Sequence, residues 1–311
     1  MERPLDAVRP RLLTLPKYLL LAMRPKQWVK NAIVFAALIF SDDRQLGELG
    51  PTLRTFAAVV LWCLIASSIY LINDLVDIEK DRRHPKKRMR PLASGNLSPA
   101  AAIAATVVML GGGLPLAFML SVYFGAIMSF YVVMQLAYSF KLKHVVILDI
   151  FIIAAGFVLR AASGAAVINI HLSHWLLLCV GLLSLFLAVA KRRHELVLLE
   201  NDAGSHRKIL DEYSIELLQE MISIVTASTL IAYVMYTIYA PNIPHEPFPL
   251  MLLTVPFVIY GIFRYLYLVY KKDEGGSPEE LLLKDVPMII NGLLWVVTTI
   301  GILYGFGKPA P

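Results

Sequence analysis

The sequence predicts an all-α membrane protein, a bundle of nine transmembrane helices with functional loops. Its 311 residues are 58% hydrophobic and only 17% charged, with a mean hydropathy of +0.65. An ordinary soluble protein is less apolar than this. Repeated apolar runs also reach the length needed to cross a bilayer. We therefore interpret residues 1–311 as one integral-membrane domain.

The nine predicted spans follow the apolar runs between charged segments. They cover residues 26–41, 51–73, 99–120, 122–140, 145–168, 173–190, 219–240, 247–270 and 286–305. The first is short and polar at its start, so we expect it to enter at a slant or to begin in the interface. The third and fourth are joined by very little chain, and Pro115 is expected to bend the third helix rather than end it.

Basic residues orient the predicted bundle. With the N-terminal arm 1–25 inside, the segments 74–98, 141–144, 191–218 and 271–285 share its side. Of 29 lysines and arginines, 24 lie on this side when Lys26 and Lys30 at the start of the first span are counted with the arm. The other side holds Arg44, Arg54 and Lys308, while Arg160 and Arg264 lie within spans. The positive-inside rule then predicts a multi-pass plasma-membrane protein with a cytoplasmic N-terminus. It also explains the net charge of +6 without a nucleic-acid partner.

An acidic motif follows the second span. Asn73, Asp74, Asp77 and Asp81 come directly after the apolar run 56–72. If the helix continues, the three aspartates recur at i, i+3 and i+7 and share one face. Such carboxylates repel each other unless a cation holds them, and oxygen ligands of this kind suit Mg²⁺ together with substrate phosphates. The motif predicts a magnesium–diphosphate site at the cytoplasmic surface.

A basic run follows the aspartates, with seven lysines and arginines between Lys80 and Arg90. One interpretation is an anchor for anionic lipid headgroups. The other is phosphate binding beside the metal site, since lysine and arginine commonly hold phosphate oxygens. We expect part of the run to bind phosphate, and the candidates are Arg82, Lys86, Arg88 and Arg90.

Polar residues also open the first span. Lys26, Gln27, Lys30 and Asn31 surround Trp28 where a transmembrane helix is expected to begin. A Trp and Lys belt at the interface is one explanation. Gln27 and Asn31 do not suit a lipid-facing belt, so a substrate-facing role is predicted for this group.

The ends of the fourth and sixth spans supply the remaining candidates. Tyr138, Lys141 and Lys143 surround the end of the fourth span, and Lys191 and Arg192 follow the sixth. We interpret the basic residues as possible phosphate ligands, with pairing inside a helix as the alternative for Lys191 and Arg192.

The fifth span contains two ionisable residues. Asp149 and Arg160 are eleven residues apart and share one helical face. Charged groups within a span face a partner or a polar cavity. Either an ion pair that holds helices together or contact with substrate explains them.

The chain resembles the UbiA superfamily of intramembrane prenyltransferases. The resemblance rests on the predicted spans, on Asn73, Asp74, Asp77 and Asp81 after the second, and on Tyr138, Leu142 and Lys143 after the fourth. Typical members carry a second aspartate-rich motif after the sixth span. Here residues 191–195 are mostly basic, which suggests a donor with more phosphate charge.

Residues 24–31 and 88–95 resemble one branch, the decaprenyl-phosphate phosphoribosyltransferases. This resemblance implies Mg²⁺-dependent transfer of 5-phosphoribose from phosphoribosyl diphosphate to a polyprenyl phosphate, a step that feeds cell-wall arabinan. Asp74 and Asp77, supported by Asp81 and Asn73, would hold the metal. Two alternatives are a prenyltransferase acting on an aromatic or isoprenoid acceptor, and a membrane transporter. The oligomeric state is not predicted.

Overall fold

The fold is helical throughout the part of the chain that can be described. A computed structural model describes residues 14–40, 45–85, 87–200, 208–241, 243–245, 248–272, 281 and 284–306, with the backbone alone for 198–200 and 208. Every regular element in these ranges is a helix. The α-helices are α1 (Leu15–Ala22), α2 (Ala36–Ile39), α3 (Leu49–Val76), α4 (Ile78–Arg83), α5 (Pro99–Leu120), α6 (Val122–Phe140), α7 (Leu148–Ile168), α8 (His174–Glu200), α9 (Ile215–Tyr239), α10 (Val255–Lys271) and α11 (Val286–Phe306).

Eight of the described helices are long and apolar enough to cross a membrane. These are α3 and α5 to α11, with α10 lengthened at its start by the 3₁₀ helix Leu250–Thr254. Large apolar side chains such as Met119, Val122 and Val297 stay exposed on these helices, as expected where lipid replaces water. The prediction of a polytopic helical membrane protein is confirmed.

The predicted first span differs from the other eight. Residues 25–35 form a 3₁₀ helix, Pro25–Phe35, which continues into the single α-helical turn of α2. Runs of 3₁₀ helix are usually only three or four residues long, so this segment is unusual. Its polar side chains bond to a neighbouring helix, as described below for Trp28 and Asn31. Hydropathy alone predicts a regular span here because it cannot detect these bonds.

The observed helix boundaries agree closely with the predicted spans at α5 and α6 and differ from the predicted span at α8. Both α5 and α6 begin and end where predicted, and α5 continues through Pro115. Helix α8 continues ten residues beyond its predicted end at 190, so Lys191 and Arg192 lie on a helix and not in a loop. The physical reason is that partners within the fold neutralise the charges after residue 190.

Contacts divide the chain into two compact units, Met1–Asn31 with Ala57–Phe140, and Ala32–Phe56 with Lys141–Pro311. In the first unit, α1 packs on the end of α3 and on α5 through Ala22, Leu71 and Ala102. Trp62 of α3 meets Tyr131 of α6 edge to face, with ring centroids 4.7 Å apart. A Cβ at Gly125 would lie 2.4 Å from the Phe118 ring, so only glycine allows α5 and α6 to approach there.

Two apolar cores can be described in the second unit. One joins α7, α8, α9 and α10 and includes Ile150, Phe186 and Tyr265. The other surrounds Tyr236 and Met251. Helix α7 also packs closely on the segment before α2, because a Cβ at Gly164 would lie 2.2 Å from the Val34 carbonyl oxygen.

Candidate active site

The acidic motif lies at a small irregularity between α3 and α4. Backbone bonds continue the helical path, from the Asp77 N–H to the Asn73 carbonyl at 3.0 Å and from the Asp81 N–H to the Asp77 carbonyl at 2.8 Å. Asp77 itself leaves regular helical geometry, with φ −100° and ψ 12°. Asp74 and Asp81 are both buried, at 2% and 4% exposure, whereas Asp77 is only half-buried.

Two arginines converge on the two buried aspartates. Arg90 Nη1 lies 3.1 Å from Asp74 Oδ1 and 2.6 Å from Asp81 Oδ2. Arg24 Nη2 also bonds to Asp74 Oδ1. We call these four residues the Asp–Arg cluster. Its two carboxylates and two guanidinium groups balance in charge, which is the condition for burying ions at low cost.

Arg24 reaches Asp74 because the 3₁₀ segment that follows it lies along α3. Arg24 has a positive φ of 55°, and its guanidinium lies 4.9 Å from the centre of the Tyr70 ring. The Trp28 indole N–H donates to Ser67 Oγ at 3.1 Å, and Asn31 Nδ2 lies 3.2 Å from Cys63 Sγ. Among the residues at 26–31 that the sequence predicts to face the substrate, Asn31 instead bonds to α3 through its side chain.

Lys26, Gln27 and Lys30 lie on the same 3₁₀ segment, with Lys26 exposed and the other two half-buried. The structure therefore leaves Lys26 accessible to a substrate, and the role of all three stays a prediction.

Asp77 stands apart from the cluster. Lys80 Nζ lies 3.8 Å from its Oδ1. Among the residues that the structure describes, no three acidic, histidine or cysteine side chains are grouped closely enough to hold a metal ion. The three aspartates therefore do not form the single face that their spacing predicts. The carboxylates of Asp74 and Asp81 converge, and that of Asp77 is not grouped with them. The backbone leaves regular helical geometry at Asp77, so the i, i+3, i+7 spacing no longer places the three side chains on one regular helical face.

The cluster nevertheless has the chemistry of a divalent-cation site. One Arg90 nitrogen bonds to an oxygen of each aspartate, so the two oxygens approach a single positively charged point. Carboxylate oxygens are the ligands that Mg²⁺ prefers, and Mg²⁺ usually completes its shell with water and substrate phosphates. Two protein carboxylates thus fit this metal, with the remaining positions left to substrate and water.

Arg82 and Arg88 of the basic run are more exposed than Arg90. Arg82 pairs with Glu79 at 2.7 Å, and Arg88 is exposed. Lys86 lies outside the described residues. Arg90 is thus a member of the run that the fold brings to Asp74 and Asp81, while surface positions suit the lipid-anchor interpretation for Arg82 and Arg88.

Tyr138 is half-buried near the end of α6 in the first unit. Lys141 and Lys143 belong to the second unit and lie at the 3₁₀ helix Leu142–His144, where Lys141 is exposed and Lys143 half-buried. The exposure of Lys141 is compatible with its predicted contact to phosphate.

The ionisable residues of the second unit form a buried network. Asp149 is fully buried, and its Oδ2 accepts from Arg192 Nη2 at 2.6 Å. Its Oδ1 accepts from the Tyr213 hydroxyl at 2.7 Å. Arg192 Nη1 also donates to Glu195 Oε2 at 2.6 Å. We call Asp149, Arg192, Glu195 and Tyr213 the Asp149 network.

Asp149 and Arg160 do not pair with each other despite sharing a helical face. Arg160 Nη1 donates to the Gly156 carbonyl at 2.7 Å, and its guanidinium lies 5.7 Å from the Phe157 ring centre. The partner of Asp149 is Arg192, one helix further on. For Asp149 and Arg192, the structure shows the ion pair between helices that the sequence offered as one of two explanations.

The neighbouring basic residues of α8 have different environments. The Arg193 guanidinium stacks 4.1 Å from the Tyr270 ring centre, and Lys191 is half-buried. A crevice of about 530 Å³ opens nearby between α9 and α10, lined by Gln219, Ser223, Thr226 and Tyr270 among others. None of the predicted site residues lines this crevice.

Sequence reasoning did not identify two important residues. Arg24 was visible beside the polar start of the first span, but its partner Asp74 is fifty positions away. Tyr213 is sixty-four positions from Asp149, and no local pattern marks it. Both contacts are products of tertiary folding.

Comparison with known proteins gives three consistent findings. The sequence model of the UbiA prenyltransferase family matches residues 32–283. A Corynebacterium glutamicum protein named decaprenyl-phosphate phosphoribosyltransferase is 34% identical over 91% of this chain and 86% of its own. A Mycolicibacterium smegmatis protein of the same name is 34% identical over 92% of each chain.

Solved structures share the fold. A UbiA homolog from Archaeoglobus fulgidus bound to GPP and Mg²⁺ matches with a TM-score of 0.68 at 16% identity, covering 92% of this chain and 99% of that one. A digeranylgeranylglyceryl phosphate synthase structure matches with a TM-score of 0.62 at 20% identity. The resemblance seen in the motifs is confirmed over most of the chain.

Proposed function

Because the chain belongs to the UbiA prenyltransferase family, we propose that it transfers 5-phosphoribose from phosphoribosyl diphosphate to a polyprenyl phosphate and releases pyrophosphate. The observation that carries this proposal is the 34% identity to decaprenyl-phosphate phosphoribosyltransferases over more than 85% of both chains. The Asp–Arg cluster supports it, since carboxylates for a cation beside arginines for phosphate suit a diphosphate donor.

Asp74 and Asp81 would hold Mg²⁺, since an oxygen of each approaches Arg90. A role of Asp77 and Asn73 in the same site stays a prediction. The metal, when bound, would neutralise charge that develops on the leaving pyrophosphate. The structural relatives bound to Mg²⁺ support this choice of cation at the level of the fold.

Arg24 and Arg90 would bind phosphate oxygens of the donor. A guanidinium presents planar paired donors that match a phosphate, and it keeps its charge at any physiological pH. Their side chains are 28% and 29% exposed, so an incoming anion can reach them. Arg24 and Arg90 would thus hold the donor diphosphate beside the two carboxylates that would hold the cation.

The transfer replaces one bond at C1 of the ribose. The bond from C1 to the diphosphate oxygen breaks, and its electron pair leaves with pyrophosphate. An oxygen of the polyprenyl phosphate forms the new bond to C1. Positive charge develops on the ribose ring, as in other glycosyl transfers. The acceptor is already an anion at neutral pH, so it needs no general base.

Lysines supply candidates for the acceptor phosphate and the ribose 5-phosphate. Lys26 and Lys30 lie in the first unit, and Lys141, Lys143 and Lys191 in the second. Arg192 is a weaker candidate than the sequence suggested, because Asp149 and Glu195 already hold its guanidinium. We also propose that the acidic motif faces the cytoplasm at the plasma membrane, where a soluble donor is available.

A coupled assay tests this function. Purified protein with Mg²⁺ and phosphoribosyl diphosphate should release pyrophosphate only after a polyprenyl phosphate is added. Release at the same rate without the lipid would indicate hydrolysis and would contradict transfer.

A second candidate is transfer of a prenyl group to an aromatic or isoprenoid acceptor. The fold match to a UbiA homolog bound to GPP favours it. The greater sequence likeness to phosphoribosyltransferases argues for the first candidate. A transporter would instead move substrate into vesicles without forming a new bond.

A further inference from the structure

A strained turn joins residues 141–144, which include Lys141 and Lys143, to α7. Ile147 has φ 69° and ψ −45°, and the Leu148 N–H donates to the Val146 carbonyl at 2.8 Å. A hydrogen bond across three residues with these angles is a classic γ-turn, which is rare and strained. A β-branched residue at positive φ is a genuine outlier, because its side chain crowds the backbone. Glycine would adopt this conformation at much lower cost.

The Asp149 network holds this turn in place. The Ile147 N–H donates to the Tyr213 hydroxyl oxygen at 2.7 Å. The same hydroxyl donates to Asp149, which bonds to Arg192 on α8. An unbroken series of hydrogen bonds therefore runs from the strained turn to the neighbouring helix. Burial raises the pKa of the Tyr213 phenol to about 12, so this group keeps its proton and remains a donor at neutral pH.

Packing also holds Tyr213 against the turn at Ile147. The 3₁₀ helix Lys208–Glu212, directly before Tyr213, lies against the 3₁₀ helix Leu142–His144. Tyr213, Ile209 and Ile150 belong to one apolar core, with Val146 packed on it. The turn is thus fixed by bonds and by packing from elements distant in sequence.

Strained backbone persists where the surroundings determine it, and it is concentrated at functional sites. Here the turn at Ile147 links residues 141–144 to α7, so its conformation sets where those residues lie relative to that helix. We propose that Tyr213 is a positioning residue that, by holding the γ-turn at Ile147, places Lys141 and Lys143 to bind a phosphate group of the substrates. This inference rests on the proposed function for the identity of the phosphate, and on the geometry of the second unit for the role of Tyr213.

Two substitutions, alone and combined, test the proposal. Tyr213→Phe removes the hydroxyl that bonds to Ile147, and Ile147→Gly removes the steric cost of the turn. Tyr213→Phe removes the bonds to both Ile147 and Asp149. We expect it to raise the KM for a phosphorylated substrate about 3- to 10-fold, with less change in kcat, because the bond to Ile147 that holds the turn is worth about as much as one ordinary hydrogen bond. We expect the double variant to recover much of this loss, because glycine permits the turn without the hydroxyl. Tyr239→Phe, at an exposed tyrosine of α9, is the matched control and should leave KM unchanged.

A measurement on the protein alone separates this inference from the proposed function. Amide hydrogen exchange in residues 141–148 should be faster in Tyr213→Phe and slower again in the double variant. If Tyr213→Phe matches the wild type in exchange and KM, or if Ile147→Gly gives no recovery, the proposal is overturned. If the exchange pattern holds but the wild type does not bind phosphoribosyl diphosphate, the proposed function fails and the role of Tyr213 in holding the turn stands.

Stability supplies a second test if Tyr213→Phe does not fold. Ile147→Gly should have a higher thermal unfolding midpoint than Ile147→Ala, since both lose the apolar side chain but only glycine relieves the strain. A lower midpoint for Ile147→Gly would show that the turn is not strained and would overturn the proposal.

Discussion

At the scale of single residues, Asp74 joins two arginines at one carboxylate oxygen. Its Oδ1 accepts from both Arg24 and Arg90, and Asp81 accepts from Arg90 alone. Removing one charged side chain from a buried cluster leaves its partner buried without an opposite charge. This destabilises the fold more than replacing the whole pair with apolar residues does. The partial exposure of both arginines moderates this cost, because water can reach them.

We predict that Asp74→Asn reduces Mg²⁺-dependent transfer on the order of 100-fold or more, the rate equivalent of several kcal/mol of lost charge stabilisation. Asp77→Asn should have a smaller effect, because its carboxylate lies apart from the converging pair. Initial rates at saturating Mg²⁺ measure both. Near wild-type turnover in Asp74→Asn would refute the metal assignment.

Arg90→Lys tests whether the guanidinium binds the donor. Lysine keeps the charge but loses the paired donors, so we expect the KM for phosphoribosyl diphosphate to rise about tenfold, equal to about 1.4 kcal/mol. Arg83→Lys, at an exposed arginine of α4, is the control. Equal KM values for the two variants would exclude a donor contact by Arg90.

The sequence identified the carboxylates of this site but only one of the two arginines. An apolar run that ends in aspartates is a local pattern, and the basic run that follows it makes Arg90 a candidate for phosphate binding. Arg24 could not be assigned, because its contact depends on how residues 25–35 fold onto α3.

At the scale of helices and turns, the network around Arg192 explains why α8 is longer than predicted. Hydropathy ends the span at the first charged residues. In the structure, Asp149 and Glu195 pair with Arg192, and Tyr270 stacks on Arg193. Helix length here is decided by partners distant in sequence, which a hydropathy pattern does not contain.

A bidentate pair stabilises the start of α11. Arg264 Nε and Nη2 donate to Asp285 at 3.1 and 2.8 Å, and Asp285 Oδ1 also accepts from the Met288 N–H at 2.9 Å. The Arg264 hydrogen bond lowers the pKa of the Asp285 carboxyl below its ordinary value of 3.8. Asp285 therefore stabilises the fold above that ordinary value, and this contribution is lost as the pH falls through the lowered pKa.

We predict that Asp285→Asn lowers stability at pH 7 by no more than about 1 kcal/mol, because the pair is partly exposed. Asp285→Ala should cost about 0.5–2 kcal/mol more, since it also removes the cap on the α11 backbone. Thermal unfolding at pH 7 and at a pH below the lowered pKa of Asp285 measures both. An Asp285→Asn effect that persists unchanged at the lower pH would contradict the charge contribution.

At the scale of the whole molecule, the helical membrane fold was predictable and its first span was not. Eight described helices agree with predicted spans because apolar length is a strong and local signal. Residues 25–35 instead adopt 3₁₀ geometry and bond to α3 through Trp28 and Asn31, tertiary contacts that a hydropathy pattern does not contain. The family was recognisable from motif spacing, and the match over residues 32–283 confirms it.

The central claim is the identity of the transferred group, and a comparison of two donors tests it most directly. Detergent-purified protein with Mg²⁺ and a polyprenyl phosphate would receive phosphoribosyl diphosphate labelled in the ribose, or a prenyl diphosphate labelled in its chain with an aromatic acceptor. We predict that the ribose label appears in the lipid fraction and that the prenyl label stays with its diphosphate. Transfer of the prenyl label without any transfer of ribose would contradict the account.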